Sequence, residues 1–332
     1  MRIGGWRSAL IVAAVVLGGS AGALTAAMTR SATARPPPHV FAFLSHTGGE
    51  LTHLARVGRK ISVLAPNWYT LDLRTAAVRG PTGTSAVLRE ARRVGVAVWP
   101  VVNARATSAV SLRDRSIARR LAGAIARIGT ARAYAGVTID IEDLAASDRA
   151  AFSSLVARVA ARLRRHGRRL AVYAPGTDGV GSGAAYDWSS LAHSASLLLV
   201  STYARGVGSP TPGPASSGAS FAAAAERADA VSAKTVAPTL EAVGYSWPVA
   251  GGPATILSAS AAARHRARCR AKAITRDDVR TFTCHGRRVY YPTGRELRAQ
   301  ARDARDRGIR WIGLYSLGRE PSGFWKGLVT AR

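Results

Sequence analysis

The sequence contains only two cysteines, Cys269 and Cys284, among its 332 residues. Two cysteines alone cannot form a structural zinc site, and their spacing lacks the short paired pattern that such sites use, so we predict no metal site. An even count predicts one disulfide in an oxidising compartment, with two unbridged thiols as the alternative. No glycine-rich phosphate loop follows any predicted strand, so we expect no nucleotide and no other cofactor.

Acidic residues are also scarce. The chain has 19 Asp and Glu against 47 Lys and Arg, which gives a formal net charge of +28. Such a surface favours anionic partners, which include nucleic acid, anionic lipid and an acidic cell-wall polymer. The alternative is a solvated arginine-rich surface, because many of these side chains, such as Arg158 and Arg162, fall on predicted helix faces.

Residues 1–30 have the pattern of a signal peptide or an N-terminal membrane anchor. Arg2 and Arg7 precede the uncharged stretch 8–29, which contains the cleavage-type triplet Ala21-Gly22-Ala23. No cysteine lies near that triplet, which excludes lipid attachment there. We therefore expect an exported protein that is secreted, associated with the cell wall, or anchored facing outside. Export argues against nucleic acid as a partner and limits membrane contact to this segment.

Residues 31–39 contain three consecutive prolines and predict an extended linker, after which short apolar runs alternate with longer helical patterns. The apolar runs are 40–44, 61–65, 96–102, 136–141, 170–174, 197–202, 235–240 and 311–315. The helical patterns are 50–57, 85–93, 114–129, 147–166, 221–232 and 294–307. Strands separated by helices pair in parallel, so this order predicts a (β/α)8 TIM barrel over residues 40–328, with a doubly wound open sheet as the alternative.

A long excursion, residues 244–291, separates the seventh and eighth predicted strands and contains both cysteines, so we expect a small inserted subdomain there. Active sites of such barrels lie at the carboxyl ends of the strands. Polar and aromatic side chains near those ends are candidate substrate contacts, and the aromatic ones could equally belong to the core. They are Trp68, Tyr69, Asn103, Glu241, Trp247 and Tyr315.

The stretch 134–143 predicts a buried strand that ends in two carboxylates, Asp140 and Glu142. Side chains two residues apart on a strand share one face, so these two project together. Two like charges that close cannot both ionise freely, so the pKa of one is raised and a proton is held near neutral pH for general acid catalysis. A structural pair bonded to arginine side chains is the alternative.

Five ordered fragments carry a resemblance to a known family. Residues 65–69 resemble a P-x-W-Y motif after strand two, and residues 136–142 resemble a strand-four signature, D-G-x-D-x-D-x-E. Residues 201–203, 244–247 and 313–320 resemble M-T-Y-D, Y-G-Y-x-W and G-x-x-x-W-x-L-G-x-E-D. On these fragments, which cover most of residues 40–326, the chain resembles glycoside hydrolase family 18, above all its bacterial branch of spore-germination and cell-wall hydrolases.

The resemblance implies a substrate-assisted mechanism, in which the N-acetyl oxygen of the substrate attacks and forms an oxazolinium ion. Carried over to this chain, Glu142 is the general acid, Asp140 orients the acetamido group, and Tyr203 hydrogen-bonds it. The implied partner is a β-1,4-linked N-acetylglucosamine polysaccharide, either chitin or peptidoglycan.

Departures from the family pattern keep two other interpretations open. Ala135, Thr138 and Ala204 stand where the family has carboxylates, and Tyr315 stands where it has tryptophan. The loss of inner carboxylates predicts reduced activity, or a carbohydrate-binding barrel without turnover. A retaining glycosidase with two protein carboxylates, Glu142 and Glu241, is the other alternative, and it requires a separation of about 5 to 5.5 Å between them.

Overall fold

The computed structural model describes residues 35–45, 49–106, 112–176, 181–276, 279–328 and 330. The predicted leader, residues 1–30, and the beginning of the predicted linker lie outside the described residues. Within the described part of the chain, no helix combines the length and the apolar character that a membrane span requires.

Fifteen strands are present in the described residues. In chain order they are β1 (His39–Leu44), β2 (Val63–Leu71), β3 (Val78–Arg79), β4 (Ala97–Val98), β5 (Val101–Arg105), β6 (Gly136–Glu142), β7 (Arg169–Ala174), β8 (Leu197–Val200), β9 (Val236–Glu241), β10 (Val243–Pro248), β11 (Thr255–Ser258), β12 (Ile274–Arg276), β13 (Val279–Cys284), β14 (Arg287–Tyr291) and β15 (Trp311–Tyr315).

Eight α-helices accompany these strands in the described part. They are α1 (Glu50–Val57), α2 (Ser85–Val94), α3 (Arg115–Gly129), α4 (Arg149–Arg164), α5 (Trp188–Ser194), α6 (Gly218–Ser232), α7 (Ala259–Arg268) and α8 (Gly294–Asp306). Side chains cap the N-termini of several helices. Asp114 accepts hydrogen bonds from two backbone amides at the start of α3, and Thr293 forms a reciprocal capping box with Glu296 on α8.

Eight strands close into a parallel barrel in the order β1, β2, β5, β6, β7, β8, β9 and β15. Closure is visible at β1, which pairs in parallel with both β2 and β15. Phe41 is aligned with Val63 on one side and with Gly313 on the other. A doubly wound open sheet has two unclosed edges, so that alternative is wrong and the predicted (β/α)8 barrel is confirmed.

Alternation along the strands separates two buried layers. Alternate residues such as Phe41, Phe43 and Leu199 fill the barrel interior, whereas their neighbours such as Val172 and Leu198 pack against the helices. Because each face of each strand has its own environment, a residue at the carboxyl end of a strand points either into the barrel mouth or into the helix layer. This choice decides which of the candidate contacts can reach a substrate.

The excursion between β9 and β15 is a small inserted unit with its own sheet. Its five strands are antiparallel in the order β11-β10-β14-β13-β12, and α7 packs beside them. A disulfide joins Cys269, which follows α7, to Cys284 at the end of β13, with their Cα atoms 6.3 Å apart. The predicted disulfide is therefore confirmed, and closing a loop of this length stabilises by about 3 kcal/mol in the chain-entropy model.

Candidate active site

Asp140 and Glu142 lie together at the base of an open cleft at the carboxyl end of the barrel. Ile139 and Ile141, their neighbours on β6, are buried in the helix layer, so the two carboxylates face the barrel mouth. The start of β6 fits closely against β7, because a Cβ at Gly136 would lie 2.5 Å from the carbonyl oxygen of Arg169. The predicted juxtaposition of the two carboxylates is present.

The cleft has two adjoining parts, which we call the Arg205 side and the Asn103 side after a residue that lines each. Their volumes are about 380 and 490 Å3. Asp140, Glu142, Tyr173 and Tyr203 line both parts. The carboxylate pair therefore lies where a chain running through the cleft would pass from one side to the other.

The environment of the pair raises the pKa of Asp140 to about 7. Burial of its carboxyl is the largest cause, the negative charge of Glu142 adds to it, and Arg105 opposes it. Of the two carboxyl groups, Asp140 is therefore the one whose pKa is raised. Glu142 is more open, with 43 % of its side chain exposed, and its Oε2 lies 2.5 Å from a guanidinium nitrogen of Arg105.

Three of the candidate contacts line the cleft. Tyr203 lies edge-on to Tyr315, with ring centroids 6.3 Å apart, and Tyr315 faces the Asn103 side together with Phe43. Asn103 donates a hydrogen bond from Nδ2 to Oδ1 of Asn67 at 2.9 Å. These side chains supply aromatic faces and amide groups, which is the combination that sugar rings and acetamido groups bind.

Glu241 is near the cleft but closed off from it. It is 1 % exposed and lines neither side, and the backbone amide of Thr202 lies 3.5 Å from its Oε1, while its Oε2 has no hydrogen-bond partner. Burial raises the pKa of its carboxyl to about 8, against the opposing effects of Tyr203 and of the Thr202 amide. A nucleophile must reach the sugar, so the predicted substrate contact of Glu241 and the two-carboxylate alternative are both contradicted by this enclosure.

Trp68 and Tyr69 both lie outside the cleft, Trp68 because of the strand alternation and Tyr69 because of a bulge in β2. The pairing of β2 with β5 shifts between Asn67, aligned with Val101, and Tyr69, aligned with Val102. Trp68 lies on the outward face of β2 by alternation with Asn67, and the extra residue then turns Thr70, in place of Tyr69, towards the cleft. Trp68 is 6 % exposed and packs against Tyr134 in the helix layer, and the Tyr69 hydroxyl is 2.9 Å from that of Tyr134. The predicted sugar contacts of Trp68 and Tyr69 are therefore wrong.

Trp247 is also a core residue rather than a sugar contact. It is 1 % exposed on β10, and its indole Nε1 donates a hydrogen bond to the carbonyl oxygen of Gly213 at 2.8 Å. The ring packs edge-on against Tyr245. Trp247 thus fastens the inserted unit to the loop after β8, and the prediction that it lines the cleft is wrong.

Sequence reasoning missed several residues of the cleft. Arg105 ends β5 and contacts Glu142, Tyr173 lies on β7, and Arg205 follows Tyr203 by two positions. The hydroxyl of Tyr186 donates to the backbone carbonyl of Ile141 at 2.6 Å and so holds the end of β6 in place. Arg105 and Tyr173 could have been found, since each is a polar residue near the carboxyl end of a predicted barrel strand. Arg205 and Tyr186 lie outside the barrel strands, where no pattern marks them.

The one group of potential metal ligands found among the described residues consists of His265, Cys269 and Cys284, whose ligand atoms lie within 4.8 Å of one another. The two sulfur atoms are bonded to each other. A disulfide offers no thiolate, which is the form of cysteine that binds zinc, so this group does not fit a metal in its oxidised state.

The geometry can hold one proton on a pair of adjacent carboxyl groups, beside tyrosines and open cavities. A carboxyl with a pKa near 7 keeps a proton at neutral pH, and its more exposed neighbour can pass one to a bound molecule. Such an arrangement suits acid-assisted cleavage of a bond that lies across the pair.

No family model matches the sequence, and no curated protein matches it. Solved structures with the same fold include a chitinase from Chromobacterium violaceum, at 20% identity, with a TM-score of 0.78 over 88% of this chain and 98% of that one. The spore cortex-lytic enzyme SleL of Bacillus cereus aligns at 16% identity, with a TM-score of 0.75 over 89% of this chain and 74% of that one. A family GH18 chitinase from Cycas revoluta, solved in complex with allosamidin, aligns at 15% identity, with a TM-score of 0.70 over 88% and 98% of the two chains.

Proposed function

We propose that this protein is a glycoside hydrolase of family 18 that cleaves β-1,4-linked N-acetylglucosamine polymers, either peptidoglycan or chitin. The observation that carries the proposal is the placement of Asp140 and Glu142 side by side between the two halves of an open cleft. The likeness in fold to two chitinases and a spore cortex-lytic enzyme supports the same class of substrate.

In the proposed reaction, Glu142 donates its proton to the glycosidic oxygen, and the bond from that oxygen to the anomeric carbon breaks. The carbonyl oxygen of the substrate's own acetamido group forms a new bond to that carbon and closes an oxazolinium ring. Asp140, as a carboxylate, accepts a hydrogen bond from the acetamido N–H and stabilises the positive charge of the ring, while Tyr203 hydrogen-bonds the acetamido group. Glu142, now ionised, takes a proton from the water that opens the ring, so configuration is retained.

The proton in this scheme belongs to the pair. In the free protein the carboxyl of Asp140 holds it, because its pKa is raised to about 7, and Arg105 binds Glu142. For cleavage the proton must reside on Glu142 while Asp140 faces the acetamido N–H. Substrate binding must therefore weaken the ion pair between Arg105 and Glu142 and shift the proton from Asp140 to Glu142.

A second candidate is a barrel that binds the same polymer without cleaving it. Two observations favour it. Thr138 and Ala204 are not acidic, so no further carboxylate from these positions accompanies Asp140. Glu142, the proposed proton donor, is held in an ion pair. Both candidates use the same cleft, and only turnover separates them.

The deciding experiment compares the wild type with Glu142→Gln on a chito-oligosaccharide, with reducing ends measured over time. The hydrolase proposal predicts turnover by the wild type and a loss of at least a hundredfold in Glu142→Gln. Glu226→Gln, a change of the same type at an exposed position on α6, is the matched control and should retain full activity. Binding of the oligomer by the wild type with no release of reducing ends would favour the non-hydrolytic barrel.

The role of the N-acetyl group can be tested on the substrate. An oligomer of glucosamine lacks the acetamido oxygen and should not be cleaved under conditions where the N-acetylated oligomer is. Equal cleavage of both oligomers would contradict the substrate-assisted mechanism.

We also propose that the protein is exported, by way of residues 1–30. The disulfide between Cys269 and Cys284 supports an oxidising compartment. Fractionation of cells that express the full chain, with N-terminal sequencing of the product, would separate a cleaved leader from a retained anchor. Recovery of the intact chain in the soluble cytosolic fraction would contradict export.

A further inference from the structure

A second cavity, separate from the carboxylate cleft, lies between the inserted unit and the barrel. Its volume is about 700 Å3, and four cationic side chains line it. Arg264 and Arg266 come from α7, Lys272 follows that helix, and Arg280 lies on β13. Among its lining residues there is no Asp or Glu. We call it the basic cavity.

The four cations of the basic cavity are not paired with carboxylates within the described residues. None of them forms an ion pair or donates a side-chain hydrogen bond to another described residue. By contrast, Arg93, Arg105, Arg149 and Arg307 each bind a carboxylate. Like charges that converge on one space repel one another, and an anion placed among them removes that repulsion.

The covalent structure holds these cations opposite one another. The disulfide ties Cys269, directly after α7, to Cys284 at the end of β13, so the helix with Arg264 and Arg266 cannot move away from the strand with Arg280. The first residues of α7 and α8 also line the cavity. The N-terminus of α7, whose first turn has no acidic residue, adds partial positive charge at the same place, whereas Glu296 already caps the N-terminus of α8.

The position of the cavity matches a general feature of TIM barrels, in which loops after the seventh and eighth strands often bind phosphate. Here the inserted unit follows β9, the seventh barrel strand, and Pro321 and Ser322 follow β15, the eighth. Because both loops leave the carboxyl end of the barrel, the basic cavity is at the same end as the carboxylate cleft.

We propose that the basic cavity binds the phosphate groups of a phosphodiester polymer with a polyol backbone. Four cations in this volume suit several closely spaced phosphates. The cavity lacks a platform for bases, since its single aromatic lining residue, Tyr291, is 7 % exposed and packs edge-on against Phe282. Single-stranded nucleic acids are held largely by stacking on exposed aromatic rings, so the lining favours a polymer without bases.

The test uses the full chain, with poly(glycerol phosphate) as the probe, in titration calorimetry over a range of salt concentrations. The variant R264Q/R266Q/K272Q/R280Q should lose at least tenfold in affinity, and the slope of log K against log salt should fall by about 3, at ~0.7 per lost contact. The matched control, R115Q/R119Q/R127Q/R158Q, removes the same charge from exposed positions on α3 and α4 and should bind within twofold of the wild type. Equal losses in both variants, or no saturable binding by the wild type, would overturn the proposal.

Two further measurements keep the result interpretable. Oligo(dT) with the same number of phosphates should bind no more tightly than poly(glycerol phosphate). Tenfold tighter binding of oligo(dT) would identify nucleic acid as the ligand of the cavity and contradict the polyol polymer. Unfolding midpoints of both variants within about 2 °C of the wild type show that the fold is kept. The proposal is independent of hydrolysis, because the variant should cleave a chito-oligosaccharide, or fail to, as the wild type does.

Discussion

The guanidinium of Arg105 lies 2.5 Å from a carboxylate oxygen of Glu142, and this contact follows from strand pairing. Arg105 and Glu142 are the last residues of β5 and β6, and the parallel register of the two strands places them side by side. Arg105 also donates to Asp143 at 3.0 Å. Arg105 also opposes the rise in the pKa of Asp140, so this cation works against retention of the proton that the pair shares.

Removal of this cation should speed the reaction at neutral pH. We expect Arg105→Gln to raise kcat/KM at pH 7.5 by about fivefold at most, because both partners are largely open to water and such pairs contribute roughly 1 kcal/mol or less. The gain should disappear at pH 5, where protons are abundant. Arg79→Gln, at an exposed position on β3, is the control. Loss of activity in Arg105→Gln at every pH would instead assign Arg105 to substrate binding.

The pKa of Asp140, raised to about 7, predicts the pH dependence of turnover. Below pH 7 the pair carries the proton that catalysis needs, and above it the pair is doubly ionised. The rate should therefore fall about tenfold per pH unit above pH 7. Asp140→Asn removes the neighbouring carboxyl group, so it should move this limb to lower pH and lower kcat by at least a hundredfold. A rate that is level from pH 6 to pH 9 would contradict a role for the shared proton.

Glu241 predicts a pH dependence of stability that is separate from catalysis. Its pKa is raised from 4.5 to about 8 on folding, so the folded state holds the proton more tightly than the unfolded state does. The resulting stabilisation is complete below pH 4.5 and is lost as pH rises through 8, by a total on the order of 4 to 5 kcal/mol. The unfolding midpoint of the wild type should fall across this window more steeply than that of Glu241→Gln. Parallel curves for the two proteins would show that Glu241 is not buried in neutral form.

Two substitutions test whether Trp68 is a core residue and whether Tyr315 is a substrate contact. Trp68→Ala should lower the free energy of unfolding by about 3 to 5 kcal/mol, because it empties a site in the helix layer, and leave KM unchanged in the folded protein. Tyr315→Ala should raise KM for the oligomer several-fold, since this ring faces the cleft. Urea unfolding and steady-state kinetics on the same preparations measure both effects. A raised KM in Trp68→Ala with unchanged stability would return Trp68 to the cleft.

Local sequence patterns were sufficient for the barrel and for the carboxylate pair. Each of the eight predicted apolar runs overlaps a barrel strand, because the two-residue alternation of a strand and the longer period of a helix are both legible in the order of apolar residues. The short helix α5 and the helix α7 were missed, since the first spans seven residues and the second lies within an insertion that has no regular alternation with strands. Asp140 and Glu142 were placed on one face by their spacing alone.

The lining of the cleft was decided by the tertiary structure. A bulge of one residue in β2 placed Thr70 in the cleft instead of Tyr69, and no local pattern marks a bulge whose cause is the pairing with a distant strand. Glu241 lies at the end of its strand as expected, but it is 1 % exposed and its carboxyl is bound by Thr202 and Tyr203 from the end of another strand. By itself the sequence determined which strands form, in what order, and which two carboxylates share a face, because those properties depend on neighbours along the chain. Which side chains reach the substrate depended on contacts between residues far apart in sequence, and only the folded barrel decides those.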